Sequence, residues 1–214
     1  MPFLSWTCPS TKQQKLCLNQ CGTFNYDPKF HGATGDASSD IHEFSQRLAS
    51  DGFAVNHARI LLGYGLQTYD KAVQALQNWR HFQLNWALVD PKTRIKTGER
   101  FCVCTKEFLP WVLLPLEIIY VRDPKGVDLG PKLKHSFRFG SGTLHGHLLA
   151  GEERFSIEWD EENKVWYEIL SFSKPSHILS FMSYPYVSFR QKQFAKQSMQ
   201  AVLEHLSAQH PREM

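Results

Sequence analysis

The 214-residue chain, with 42% apolar and 21% charged residues, is long enough to bury a core and has the balance of an ordinary globular protein, which excludes a disordered or fibrous one. Twenty-four Lys and Arg against 21 Asp and Glu leave a net charge of +3. The excess is small and scattered rather than gathered on one face, so no nucleic-acid partner is expected.

The longest apolar run, Trp111 to Val121, is broken by Pro115 and Glu117 and falls short of the ~20 residues a membrane-spanning helix needs. The opening residues lack a basic start followed by an apolar stretch, and no Asn-x-Ser/Thr acceptor occurs. Five cysteines at irregular spacings do not describe a disulfide framework and read as reduced thiols. A cytoplasmic setting is expected, with association at an organelle surface left open.

In chain order, Ser10 to Asn19 reads as a short helix, followed by a stretch punctuated by Gly22, Pro28, Gly32, Gly35 and Ser38-Ser39. Residues 1–50 are expected to form an irregular N-terminal extension packed on a domain spanning residues 51–214. From Phe53 apolar and polar residues alternate in a strand closed by Gly63 and Gly65. Thr68 then reads as the N-cap of a helix with Tyr69, Val73, Leu76 and Arg80 at helical spacing. Six more strands follow: Trp86–Val89, Arg100–Phe108, Trp111–Arg122, Lys134–Ser141, Glu152–Asp160 and Val165–Ser173. Asp160 to Asn163 reads as a hairpin turn, and a longer loop starts at Asp123.

Tyr186 to Gln209 reads as a helix with Val187, Phe194, Ala195, Val202 and Leu206 on one face. The order predicts an α+β fold, a curved seven-stranded antiparallel sheet wrapped around this C-terminal helix.

Strand period two puts Glu153 with Phe155, Ile157 and Trp159, and Glu168 with Trp166, Leu170 and Phe172. It likewise puts His57 and Arg59 with Phe53, Val55 and Leu61. If these strands converge, Arg59 pairs with Glu153 or Glu168 and His57 is placed for proton transfer near neutral pH, which makes these four the candidate catalytic residues. The alternative is that the charges sit on an exposed face or form a structural ion pair.

His145 and His147, like Cys102 and Cys104, place two metal-binding types at i and i+2, but neither spacing matches a zinc signature, and no metal is expected. The glycine-rich stretch Gly140 to Gly146 lacks the Lys-Ser/Thr and helix of a phosphate loop. It reads as a bulge or bend, or else as room for a ligand, with Thr143, His145 and His147 at the rim. Gln191 and Ser198 lie on the apolar face of the last helix, and with Tyr167 they complete the candidate ligand-binding set. No Gly-x-Ser-x-Gly elbow supports a covalent hydrolase.

Several stretches resemble one family. They are Asn56-His-Ala-Arg59, Gln77-Asn-Trp-Arg-His-Phe82, Gly140-Ser-Gly-Thr-Leu-His-Gly-His147, Gly151-Glu-Glu-Arg-Phe-Ser156, Trp166-Tyr-Glu168 and Arg190-Gln-Lys-Gln-Phe-Ala195. The family is domain of unknown function 1990, its plant members in particular, and no catalytic residues come with the resemblance. The element order also resembles the helix-grip superfamily of START-like and birch-pollen-allergen-like proteins, which includes lipid and hormone carriers and cofactor-free cyclases and isomerases. One departure is that a single helix follows the first strand, where that fold has two short ones.

The resemblance implies a hydrophobic small molecule, lipid-, hormone- or specialised-metabolite-like, held between sheet and C-terminal helix, with no cofactor. A cofactor-free isomerase, cyclase or lyase in the same cavity is the alternative. An adaptor anchored at a membrane surface through Met1 to Trp6 is a third.

Overall fold

The computed structural model describes residues 3–35, 40–123 and 133–208. Eight strands form one antiparallel sheet. They are β1 (Phe3–Ser5), β2 (Ala54–Tyr64), β3 (Ala87–Leu88), β4 (Arg100–Lys106), β5 (Trp111–Arg122), β6 (Leu133–Thr143), β7 (Leu149–Asp160) and β8 (Lys164–Pro175). Seven of them run in the order β2-β8-β7-β6-β5-β4-β3, and β1 adds beside β5, Leu4 opposite Val112. These seven are the strands expected from the alternation; the three-residue β1 falls in the stretch proposed above as an apolar anchor.

The hairpin between β7 and β8 turns at Asn163, whose φ of 67° is a left-handed conformation that asparagine tolerates. The loop expected from Asp123 lies, beyond that residue, outside the described residues.

The sheet curves partly around the C-terminal helix α5 (Tyr184–Ala208), the helix-grip-like architecture that the element order implied. Val202 and Leu206 are buried in the main core with Phe155, Ile157 and Tyr167 of the inner sheet face. Helix α3 (Gly65–Gln77) packs Ala72 and Leu76 into that core. Thr68 does not cap it. The helix begins at Gly65 behind Tyr64, and the Thr68 hydroxyl, inside the first turn, donates to the Tyr64 carbonyl at 2.8 Å. A single 3-10 turn, Arg80–Phe82, follows α3.

The N-terminal residues are more regular than their glycines and prolines suggest. Helix α1 (Thr11–Gln20) carries a full capping box, with Ser10 and Gln13 each satisfying the other's backbone. Helix α2 (Ile41–Ala49), capped by Asp40, was not expected at all. Both cover the outer sheet face. Phe44 and Leu48 of α2 pack with Tyr26, Phe53, Leu170 and Phe172, and Cys17 of α1 packs with Cys102, Cys104 and Trp111. The short helix α4 (Ile178–Met182) links β8 to α5. Among the described residues no helix is long and apolar enough to cross a membrane.

Candidate functional site

Between the inner sheet face and α5 lies a cavity of about 780 Å³. Its apolar wall comes from Ala58, Val103, Leu114 and Ile169 of the sheet, and from Val187, Phe194 and Ala195 of α5. Small side chains make the space. Where neighbouring inward positions hold Phe155, Tyr167 and Ile169, the cavity end of β8 holds Ser171 and Ser173. The larger neighbours hold sheet and helix apart, and side chains of only two heavy atoms do not fill the gap between them.

Glu153 points into this space. Its cross-strand neighbours are Ser141 and Ser171, and it makes no side-chain hydrogen bond or ion pair among the described residues. Burial, with no cation to offset it, pushes its carboxyl up from 4.5 to about 8. At neutral pH it is therefore a carboxylic acid with a proton to donate. Close by, the Tyr167 hydroxyl and the Ser198 hydroxyl share a 2.8 Å hydrogen bond that ties β8 to α5, both residues being wholly buried.

The ligand-binding candidates divide. Thr143, His147 and Gln191 line the cavity, whereas Tyr167 and Ser198 lie in the packed core and His145 is exposed against Gly22. The Thr143 hydroxyl donates to Asn25 Oδ1 at 2.5 Å and accepts from the Gly151 N–H at 2.9 Å. Gln191 donates to the Ser173 hydroxyl at 3.0 Å. His147 accepts the Leu149 N–H on Nδ1 at 2.9 Å, and burial lowers it to about 4, so its ring is neutral.

Gly140 and Gly142 make room for the protein itself rather than for a ligand. They face outward, and a Cβ on Gly140 would meet the Tyr120 ring at 2.5 Å, while one on Gly142 would meet the Tyr26 hydroxyl. Among the described residues no three His, Cys, Asp or Glu side chains gather as a metal site.

The four catalytic candidates do not form one group. In the register of the strands Arg59 stands opposite Glu168 and His57 opposite Leu170, all on the outer face, while Glu153 faces inward. The expected alternative pairing of Arg59 with Glu153 is therefore not made, because period two sends their side chains to opposite sides of the sheet. On the outer face Glu168 meets Arg154 Nη2 at 2.5 Å, His57 Nε2 at 3.6 Å and Arg59 Nη1 at 4.0 Å. Arg59 makes its shorter contact, 3.1 Å, with Glu158. Burial opposes ionisation of Glu168, but the facing His57 imidazole and the Arg154 guanidinium outweigh it and hold the carboxyl down at about 2. Arg154 also donates to the Thr34 carbonyl at 2.7 Å. Glu152 accepts from the Tyr26 hydroxyl, the Gly32 and Thr34 amides and the Thr34 hydroxyl. Glu168 is thus engaged in pairing strands, and both oxygens of Glu152 are spent on seating the N-terminal segment.

One polar cluster leaves no signal in the sequence. At the mouth of the cavity Glu107 accepts from the Tyr186 hydroxyl at 2.5 Å and from Arg190 Nε at 3.1 Å, and the Arg190 guanidinium lies 3.5 Å from the centre of the Trp86 ring. Arg190 stands 83 positions from Glu107, and no local pattern relates the two.

The model of the family described as domain of unknown function 1990 matches residues 38–201. The chain belongs to the DUF1990 family. A UPF0548 protein of Arabidopsis thaliana is 53% identical over 208 residues, covering 97% of this chain and 100% of that one. A UPF0548 protein of Dictyostelium discoideum is 34% identical over 182 residues, covering 81% and 82% of the two chains. Among solved structures, a hypothetical protein of Helicobacter pylori aligns with a TM-score of 0.47 at 15% identity, covering 86% of this DUF1990 chain and 96% of that one. Ara h 8.0201 aligns with a TM-score of 0.44 at 9% identity, covering 72% and 99%.

Proposed function

We propose that the protein binds an apolar small molecule, of lipid, hormone or specialised-metabolite type, in the cavity between the sheet and α5, with the polar end of the ligand at Glu153. The cavity carries this reading. Its volume of about 780 Å³ falls within the ~300–1,000 Å³ of small-molecule sites. Its wall is mostly apolar, and a lone protonated carboxyl offers one directional contact. The five free cysteines support a reducing compartment as the setting.

The uncharged fluorophore N-phenyl-1-naphthylamine is expected to brighten and shift to the blue with the wild-type protein. Ala195→Trp, which puts an indole into the cavity from α5, should abolish that response. An equal response in a folded Ala195→Trp protein would overturn the reading.

Glu153 also favours a second reading, cofactor-free proton transfer of the isomerase, cyclase or lyase kind. A carboxyl held at about 8 passes between acid and base close to neutral pH. The chemistry would rest on Glu153 alone, with His57, Arg59 and Glu168 on the other face of the sheet. In heavy water, 2-decanone should then exchange its α-hydrogens at a rate that rises as Glu153 ionises through about pH 8 and is lost in Glu153→Gln. A rate independent of both pH and Glu153 sinks this reading and leaves simple binding.

A further inference from the structure

Eleven large apolar side chains stand exposed among the described residues, and six of them come from three segments that also contribute residues to the cavity lining. Phe108 and Leu109 form the tip of the β4–β5 turn, Ile178, Phe181 and Met182 stand on α4, and Phe189 stands on α5. Phe108 is 82% exposed and Met182 77%.

The tip and the helices border one opening. The Phe108 ring stacks on Tyr186 at 5.4 Å, and Tyr186, Ser180 and Ser183 all line the cavity. Phe108 holds a φ of 56°, a left-handed conformation costly for an aromatic residue, and its ring gains little burial in return.

The net charge around these side chains is positive. No Asp or Glu occurs anywhere in residues 169–203. Glu107, the acid beside the tip, is neutralised by Arg190 at 3.1 Å. Lys106, Lys192 and Lys196 make no ion pair among the described residues, and the last two follow Phe189 at i+3 and i+7, on its side of α5.

We propose that this rim docks on the surface of an anionic lipid bilayer. The apolar side chains sit on separate projections rather than on one flat face, so they would enter the interface singly while the lysines behind them meet the headgroups. A second copy of the chain would bring like charges together, which argues against self-pairing. The opening inside the ring would then face hydrocarbon, and an apolar molecule could pass between bilayer and cavity without crossing water.

The test is flotation of the full chain with vesicles of phosphatidylcholine alone, and of phosphatidylcholine with phosphatidylglycerol. Binding to the anionic vesicles should exceed binding to the neutral ones by about tenfold or more. Phe108→Ser with Phe181→Ser should weaken it about tenfold, and Lys192→Glu with Lys196→Glu should remove the preference for anionic lipid. These positions are exposed, and near-ultraviolet circular dichroism checks that each variant stays folded. The proposal is overturned if the wild-type chain ignores anionic vesicles, if the variants bind as it does, or if the patch instead holds together a dimer that forms without lipid. Vesicle binding is read without any cavity ligand, so its failure leaves the binding function standing, and the converse holds as well.

Discussion

Glu153 is held where an ionised carboxylate has nothing to meet, and its proton is the cheapest way to remain there. The unfolded chain ionises near the ordinary 4.5, whereas the native chain keeps the proton until about 8. Between those values the native state binds more protons, so stability falls as pH rises through the window. Glu153→Gln removes that dependence. It should gain on the wild type steadily from pH 4.5 to 8, by about 5 kcal/mol relative to the difference below pH 4.5, and the difference should then stay constant, read by urea denaturation at several pH values. A constant difference across the whole range would mean that Glu153 is ordinarily solvated. Glu153 was legible as an oddity in the sequence, a carboxylate alternating with Phe155, Ile157 and Trp159. Its isolation from His57 and Arg59 was not legible, because alternation sorts the side chains of one strand into two faces without saying which face of the next strand joins them. The register of β2 on β8 decides that.

At the scale of elements, the same lesson separates what repeats from what does not. Seven strands and α5 announced themselves through period two and a helical stripe, which are signals of burial sustained over many residues. Helix α2 is nine residues long and follows a glycine- and serine-rich stretch; its signals were Asp40 as cap and Phe44 and Leu48 four apart. Thr68 reads as the cap because Gly65 reads as a stop, whereas Gly65 opens the helix. The joint between N-terminal segment and sheet was beyond reach, since Arg154 bonds a carbonyl 120 positions away. Arg154 is the most informative residue to remove there. Arg154→Ala leaves the buried Glu168 without its closest cation and the Thr34 carbonyl without its donor, an expected cost of about 3–5 kcal/mol. Limited proteolysis should then cut between Gly22 and Gly35 well before the sheet unfolds. Cleavage no faster than in the wild type would show that the segment is held by its apolar contacts alone.

For the whole molecule, the sheet has no open side over β7 and β8. The cavity and α5 occupy the inner face, and the segment carrying Tyr26, Phe30 and Thr34, with α2 beyond it, occupies the outer one. A chain lacking residues 1–35 would expose Phe172 and strip Glu152 of all four of its donors. It should lose cooperative unfolding and bind 8-anilinonaphthalene-1-sulfonate, with secondary structure largely kept. Sharp two-state melting of that shortened chain would show that the sheet holds without the segment.

The order in which a ribosome delivers the chain sets a further condition. Thr34 and Tyr26 find their partner on Glu152, 118 and 126 positions later, and β2 pairs with β8, the last strand to be made. At ~5–20 residues per second, more than a hundred residues are roughly 6–25 s of translation. Throughout that interval Phe30, Phe44 and Leu48 have emerged and have no surface to cover. The segment that seals the outer face leaves the exit tunnel well before the strands it covers and is among the last to be seated.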